Sequence, residues 1–153
     1  MSIRLTITLT DANTTINIPR DPVNGEWQTL KVLKVFHNVN AGTVSTNKVM
    51  LLNVEELEND GYVETSTGRL IRYAYAYFLG QSGSVEEIRL YPTITTLNFK
   101  NTKTDKLTIS VANIDGDPPG SGDLGSGRYM ILEVELNCGH KLSYQLVYEL
   151  FLA

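Results

Sequence analysis

The 153-residue chain is short of most features that would mark a specialised chemistry. With one cysteine, Cys138, no internal disulfide can form, so packing alone must hold the framework, as suits a reducing compartment. Lys and Arg number 13 against 17 Asp and Glu, a formal charge of −4, which leaves no broad cationic field to hold nucleic acid through its phosphates. No stretch approaches the ~18 unbroken apolar residues of a membrane helix. The N-terminus, MSIRLTITLTDANTT, lacks a basic region followed by an apolar core, so it does not read as a secretory signal. The chain is expected to be soluble, unexported and not inserted in a membrane, and the sequon Asn13-Thr14-Thr15 then has no consequence. A helical period is also missing. Only the acidic piece Glu55 to Gly61 suits a single helical turn, and it is too short to bury a helix face.

What the sequence does have is alternation. Ile3, Leu5, Ile7 and Leu9 alternate with Arg4, Thr6 and Thr8, the period-two pattern of a half-buried strand. Thr14 to Ile18 continues extended until Pro19, and Arg20 to Glu26 carries turn residues. Trp27 to Val39 is denser in apolar residues, which predicts a central strand covered on both sides. Leu70 to Leu79 is read as one strand with Tyr73, Tyr75 and Tyr77 on one face and Ala74, Ala76 and Phe78 on the other. Further strands are predicted at Val85 to Tyr91, Thr93 to Lys100, Lys106 to Ile114, Arg128 to Leu136 and Lys141 to Leu152. About eight to nine strands without helices predict an all-β fold, an antiparallel β-sandwich, in one domain spanning 1–153. A chain of this length can bury roughly 70% of the surface it would expose unfolded.

Each constellation that suggests chemistry also has a plainer reading. Asp115 to Gly127 holds five Gly, three Asp, two Pro, two Ser and one apolar residue, Leu124. Within it Gly120 to Gly125 spells GxGxxG, but a dinucleotide site needs a helix to begin there, and RYMILEVEL alternates like a strand. Asn113, Asp115, Asp117 and Asp123 supply oxygens a calcium ion would accept. However, Pro118 stands where a calcium loop has its turn glycine and Leu124 where it has its bidentate glutamate. The loop is therefore expected to be a polar connection between two late strands. Cys138 and His140 are the only Cys/His pair close in sequence; zinc wants more ligands, and His37 lies in a separate strand. Asn137 to His140 reads as a tight hairpin turn. The carboxylates Glu55, Glu56, Glu58 and Asp60, and the pair Glu86 and Glu87, read as solvated strand ends, and Lys100, Lys103 and Lys106 as a surface turn. No catalytic, cofactor-binding or metal-binding residue is assigned, and no enzymatic activity is expected.

Three stretches, taken in order, carry a resemblance: VMLLNVEEL (Val49 to Leu57), RLIRYAYAYFL (Arg69 to Leu79) and KLTISVANIDGDPPG (Lys106 to Gly120), the last followed by the strand RYMILEVEL. Together they resemble the small jelly-roll proteins encoded by nucleocytoplasmic large DNA viruses. The resemblance covers a little over half the chain. It implies a single jelly roll serving as a structural piece of a large icosahedral capsid, either a penton subunit in a homo-pentamer or a minor cementing protein. Partners would then be other capsid proteins and the chain itself, and the site of action the virion, assembled in the host cytoplasm. The chain continues past the family's usual last strand into LSYQLVYELFLA, expected to be a peripheral strand or an arm onto a neighbour's sheet edge. The rival expectations are a carbohydrate-binding sandwich with Trp27, Tyr73, Tyr75 and Tyr77 as an aromatic platform, and a calcium-dependent adaptor built on Asp115, Asp117 and Asp123.

Overall fold

The computed structural model describes residues 2–19, 26–38, 48–79, 85–88, 90–91, 96–119, 124, 127 and 129–138. In chain order its strands are Ser2–Leu9 (β1), Asn13–Asn17 (β2), Thr29–Asn38 (β3), Lys48–Val54 (β4), Asp60–Glu64 (β5), Arg69–Tyr73 (β6), Tyr75–Leu79 (β7), Val85–Ile88 (β8), Leu90–Tyr91 (β9), Thr96–Asn98 (β10), Lys106–Asn113 (β11) and Tyr129–Asn137 (β12). One sheet runs β1-β12-β3-β10, with β8 also on β3. A second runs β2-β11-β4-β7-β9, and β5 with β6 forms a separate pair. Every pairing is antiparallel. There is no helix among the described residues. The fold is all-β, and its two large sheets form a sandwich, because a single core takes side chains from both: Ile7, Leu30, Val35 and Leu132 from the first, Met50, Tyr75, Leu107 and Ile109 from the second.

The pairings are nested along the chain. Among the described strands the first joins the last (β1 with β12), the second joins the second-last (β2 with β11), β3 joins β8 and β10, and β4 joins β7. The arrangement is that of one long hairpin folded over on itself, with its arms shared between two layers. The strand count exceeds the expected eight to nine for local reasons. Val85 to Tyr91 divides into β8 and β9, which pair in different sheets, and β5 and β6 form a hairpin that interrupts the path from β4 to β7.

Several expectations are corrected. β3 is not covered on both sides: Leu30, Val32, Val35 and His37 are buried while Lys31 and Lys34 are exposed. Its apolar density comes from a bulge, since Glu133 faces Lys34 but Val134 faces Val32, leaving Leu33 unpaired and shifting the phase so that both valines point inward. Buried on both faces instead are β4, with Met50, Leu52 and Val54 in the main core and Leu51 in a second apolar cluster with Ile71 and Ala76, and β7, with Tyr75 and Tyr77 in the main core and Ala76 in the second cluster. The acidic piece after β4 makes a tight turn, Leu57 N–H to the Val54 carbonyl at 3.1 Å, and not a helical turn. Both edges of β12 are taken from Met130 to Asn137, by β1 and β3, and the expected tight turn Asn137 to His140 runs beyond the described residues. Gly139, His140 and the expected strand Lys141 to Leu152 lie outside the described residues.

The tyrosine strand is corrected as well. It breaks at Ala74, whose N–H bonds the Leu52 carbonyl at 3.0 Å although Leu52 is already paired with Tyr75. Because side chains alternate strictly, one irregular residue sends everything beyond it to the other face. Tyr73 therefore packs with Ile71 in the second cluster, while Tyr75 and Tyr77 enter the main core.

Candidate functional site

The largest concentration of specific polar contacts sits where the β5–β6 hairpin meets the loop after β11. The hairpin is closed by Thr65 to Gly68. Glu64 organises that turn, its carboxylate accepting from the N–H and hydroxyl of Ser66 (2.9 and 2.6 Å) and of Thr67 (2.9 and 2.6 Å). These bonds, the hydroxyls first, hold the Glu64 carboxyl down to about 2 although it is exposed. Gly68 completes the turn at φ +69°. On the hairpin's inward face Tyr62 and Ile71 are cross-strand partners, and Tyr62 meets Tyr73 edge-on with ring centroids 6.0 Å apart. This face lies over Leu51 and Ala76 on the outer side of the second sheet.

From the hairpin, Arg69 reaches the aspartate-rich loop. Its Nη1 lies 2.9 Å from Asp117 Oδ1 and 3.5 Å from the Asp115 carbonyl, and its Nη2 lies 3.4 Å from the Gly116 carbonyl. The Tyr62 hydroxyl donates to the Ile114 carbonyl, and its pKa is raised chiefly by burial. Within the loop, Gly116 N–H bonds the Asn113 carbonyl at 2.9 Å, Asn113 N–H bonds the Asp117 carbonyl at 2.8 Å, and Asp117 N–H bonds Asp115 Oδ1 at 3.3 Å. Asn113 Nδ2 donates to the Pro118 carbonyl at 3.3 Å. So Asn113, Asp115 and Asp117 are brought together: Asp115 Oδ1 accepts within the turn and a guanidinium occupies Asp117, while Asn113 Oδ1 is buried without a hydrogen-bond partner. Among the described residues no group of three or more His, Cys, Asp or Glu is placed to hold a metal ion. Asp123 lies outside the described residues. Further along, Leu124, the one apolar residue of the insert, is buried in the main core and anchors the connection.

Of the GxGxxG residues only Leu124 is described, and the next described element is the strand β12, not a helix. Cys138 is buried in the main core. His37 is buried on β3, its Nδ1 3.3 Å from the Tyr77 hydroxyl across the two sheets. Tyr75 likewise donates to the Leu30 carbonyl at 3.2 Å, and burial raises its pKa. Trp27 is 1% exposed and donates from Nε1 to the Pro19 carbonyl at 2.6 Å. The expected aromatic platform is thus overturned: Trp27, Tyr75 and Tyr77 are core residues, and Tyr73, on the hairpin itself, is half-buried against the second apolar cluster.

Glu55, Glu58 and Asp60 are exposed, and Glu56 accepts from the Thr108 N–H. Glu86 and Glu87 lie on β8, opposite His37 and Phe36, with side chains outside the described set. Lys100, Lys103 and Lys106 are exposed around a turn held by Asn101, whose Oδ1 accepts from the Lys103 N–H at 3.0 Å. Sequence reasoning missed Arg69 and Tyr62 because it missed β5. The signal present was the run Tyr62 to Thr67, rich in β-branched residues and closed by Gly68. Compared with known proteins, the chain matches no protein-family model and no curated protein.

Proposed function

We propose that this protein is a single jelly roll acting as a structural protein of a large icosahedral DNA-virus capsid, at a penton or a minor cementing position. The observation that supports the reading is the nested order of pairing, β1 with β12, β2 with β11, β3 with β8 and β10, and β4 with β7, which is the connectivity expected of a jelly roll. Two further features agree with it. Trp27, Tyr75 and Tyr77 are spent on the core, and the β5–β6 hairpin is clamped onto a loop, a protrusion suited to contact between proteins. The protein would then act through shape, with no chemical step.

Electron microscopy of the purified chain, together with co-sedimentation on assembled capsids, tests this. Five-fold rings are expected for a penton, and capsid-bound monomers for a cementing protein; a protein that forms no rings and stays in the supernatant when the capsids sediment refutes both. Deletion of Lys141 to Ala153, which lie outside the described residues, is expected to weaken assembly while leaving the β-sheet circular dichroism intact.

A further inference from the structure

Among the described residues β1 is the longest strand at an edge of the two large sheets. It pairs with β12 alone, from Ser2 to Leu9, so its other edge carries a row of backbone N–H and C=O groups that no described strand takes up. Edge strands are ordinarily blunted by shortness, by proline, by several charges or by a bulge. β1 has none of these: its register runs without a shift, and its one charged side chain is Arg4. On its inward face Ile7 and Leu9 are buried, whereas Ile3 and Leu5 pack on the core and stay partly uncovered. The edge is therefore short of hydrogen-bond partners and of apolar cover at the same place.

We infer that the β1 edge takes residues 144–151 of a second copy as an added antiparallel strand. Residues 141–152 lie outside the described residues, but their sequence alternates as strictly as that of β1: every even position from Leu142 to Leu152 is Leu or Tyr, and the odd ones between are Ser, Gln, Val, Glu and Phe. A strand with one apolar side is completed by a core rim, which is what Ile3 and Leu5 leave open. Charge selects the register. Between Leu142 and Leu152 the one charge is Glu149. With Ile3 set opposite Leu150, Leu5 opposite Tyr148, Ile7 opposite Leu146 and Leu9 opposite Tyr144, the apolar sides match and Glu149 falls opposite Arg4. Arg4 then stands between Glu149 and its own Glu135, 3.8 Å away on β12. Reach selects the second copy. Tyr144 would sit beside Leu9, whereas β12 ends at Asn137 beside Ser2. The gap is about 25 Å, the length of β1 and two strand spacings across. The seven links from Asn137 to Tyr144 cover no more than about 25 Å when straight, and the chain must first reverse, because β12 points away from Leu9. A chain cannot supply its own β1 in this register, and two copies exchanging the segment make each contact twice, as a closed two-fold assembly requires. The exchange stands apart from the capsid reading. A chain that exchanges but ignores capsids refutes only that reading, and a capsid-bound chain that stays monomeric refutes only the exchange.

Cross-linking and sedimentation velocity of the full chain test it. Thr6 and Val147 stand opposite each other in this register, at a spacing a disulfide spans. A disulfide formed on mixing separately purified Thr6→Cys and Val147→Cys proteins can only join two copies. Mild oxidation of that mixture is expected to give a reducible dimer, at several times the yield of Thr6→Cys mixed with Ser143→Cys, which lies four residues out of register. Cys138 is buried and common to all these proteins, so the wild-type chain is the blank. In sedimentation, Arg4→Glu and Glu149→Arg are each expected to weaken self-association about tenfold, because like charges then face each other. Mixing the two restores it, since each segment again meets an edge of opposite charge. Circular dichroism checks that every variant folds. A wild-type chain that stays monomeric to millimolar concentration overturns the proposal. So does equal yield from the two cysteine mixtures, Arg4→Glu associating like wild type, or a mixture of the folded charge variants that associates no better than either alone.

Discussion

Glu64 shows how much a single exposed carboxylate can organise. It accepts four hydrogen bonds across the turn it precedes, and its pKa falls to about 2 in consequence. A carboxyl depressed on folding adds stability in full above its ordinary range near 4.5, and loses it as pH falls towards 2. Carbon-detected NMR should place the Glu64 midpoint near 2, and Thr67→Val should move it upward. A wild-type midpoint above 4 would mean that the turn is not held this way. Gly116 makes a sharper steric demand. At φ +87° an added Cβ would also stand 3.1 Å from Ile71 Cγ1, so Gly116→Ala is expected to cost about 1–2 kcal/mol from the backbone alone, read by thermal denaturation. Gly68→Ala, at φ +69° with nothing within 4 Å, should cost less. Tyr75 belongs to this scale too. It is buried in the core and bonded to Leu30, and its replacement by Ala should remove about 3–5 kcal/mol of stability, read by chemical denaturation.

Among the elements, the β5–β6 hairpin and the Asp115–Asp117 loop depend on each other. The Arg69–Asp117 pair is exposed on both sides and adds only about 0–1 kcal/mol globally, so its role is local positioning. Arg69→Ala should leave the melting temperature almost unchanged while speeding amide exchange in the loop. With a guanidinium on Asp117, calcium or a chelator is expected to leave the melting temperature unmoved; a rise of several degrees with calcium would restore the adaptor reading. Much of this element was legible in advance, since the loop's polar composition and its place between two late strands followed from residues 106–136. Its clamp was not, because a contact between Arg69 and Asp117 spans 48 positions and leaves no local pattern.

Over the whole molecule, β12 is the hub of the first sheet. It pairs with β1 over eight residues and with β3 over nine, and alternate side chains from Met130 to Leu136 are buried. Native-state hydrogen exchange should therefore find its amides, with those of β3, the slowest, and those of the two-stranded β5–β6 hairpin among the fastest. Faster exchange in β12 than in β5 would contradict the strand order.

Sequence alone determined that this chain forms strands, roughly where most of them lie, and which side chains of β1, β11 and β12 face inward. Alternation of polarity is a local property, written residue by residue. Only the tertiary structure decided the rest. Leu33 and Ala74 each break the alternation, and one unpaired residue reverses the facing of all that follow, so Val35, Tyr75 and Tyr77 went where a simple count would not place them. It also decided that β12 has no free edge and that β4 is covered on both faces. An edge is free or occupied, and a face wet or covered, according to strands far away in the chain, and no short window of sequence contains them.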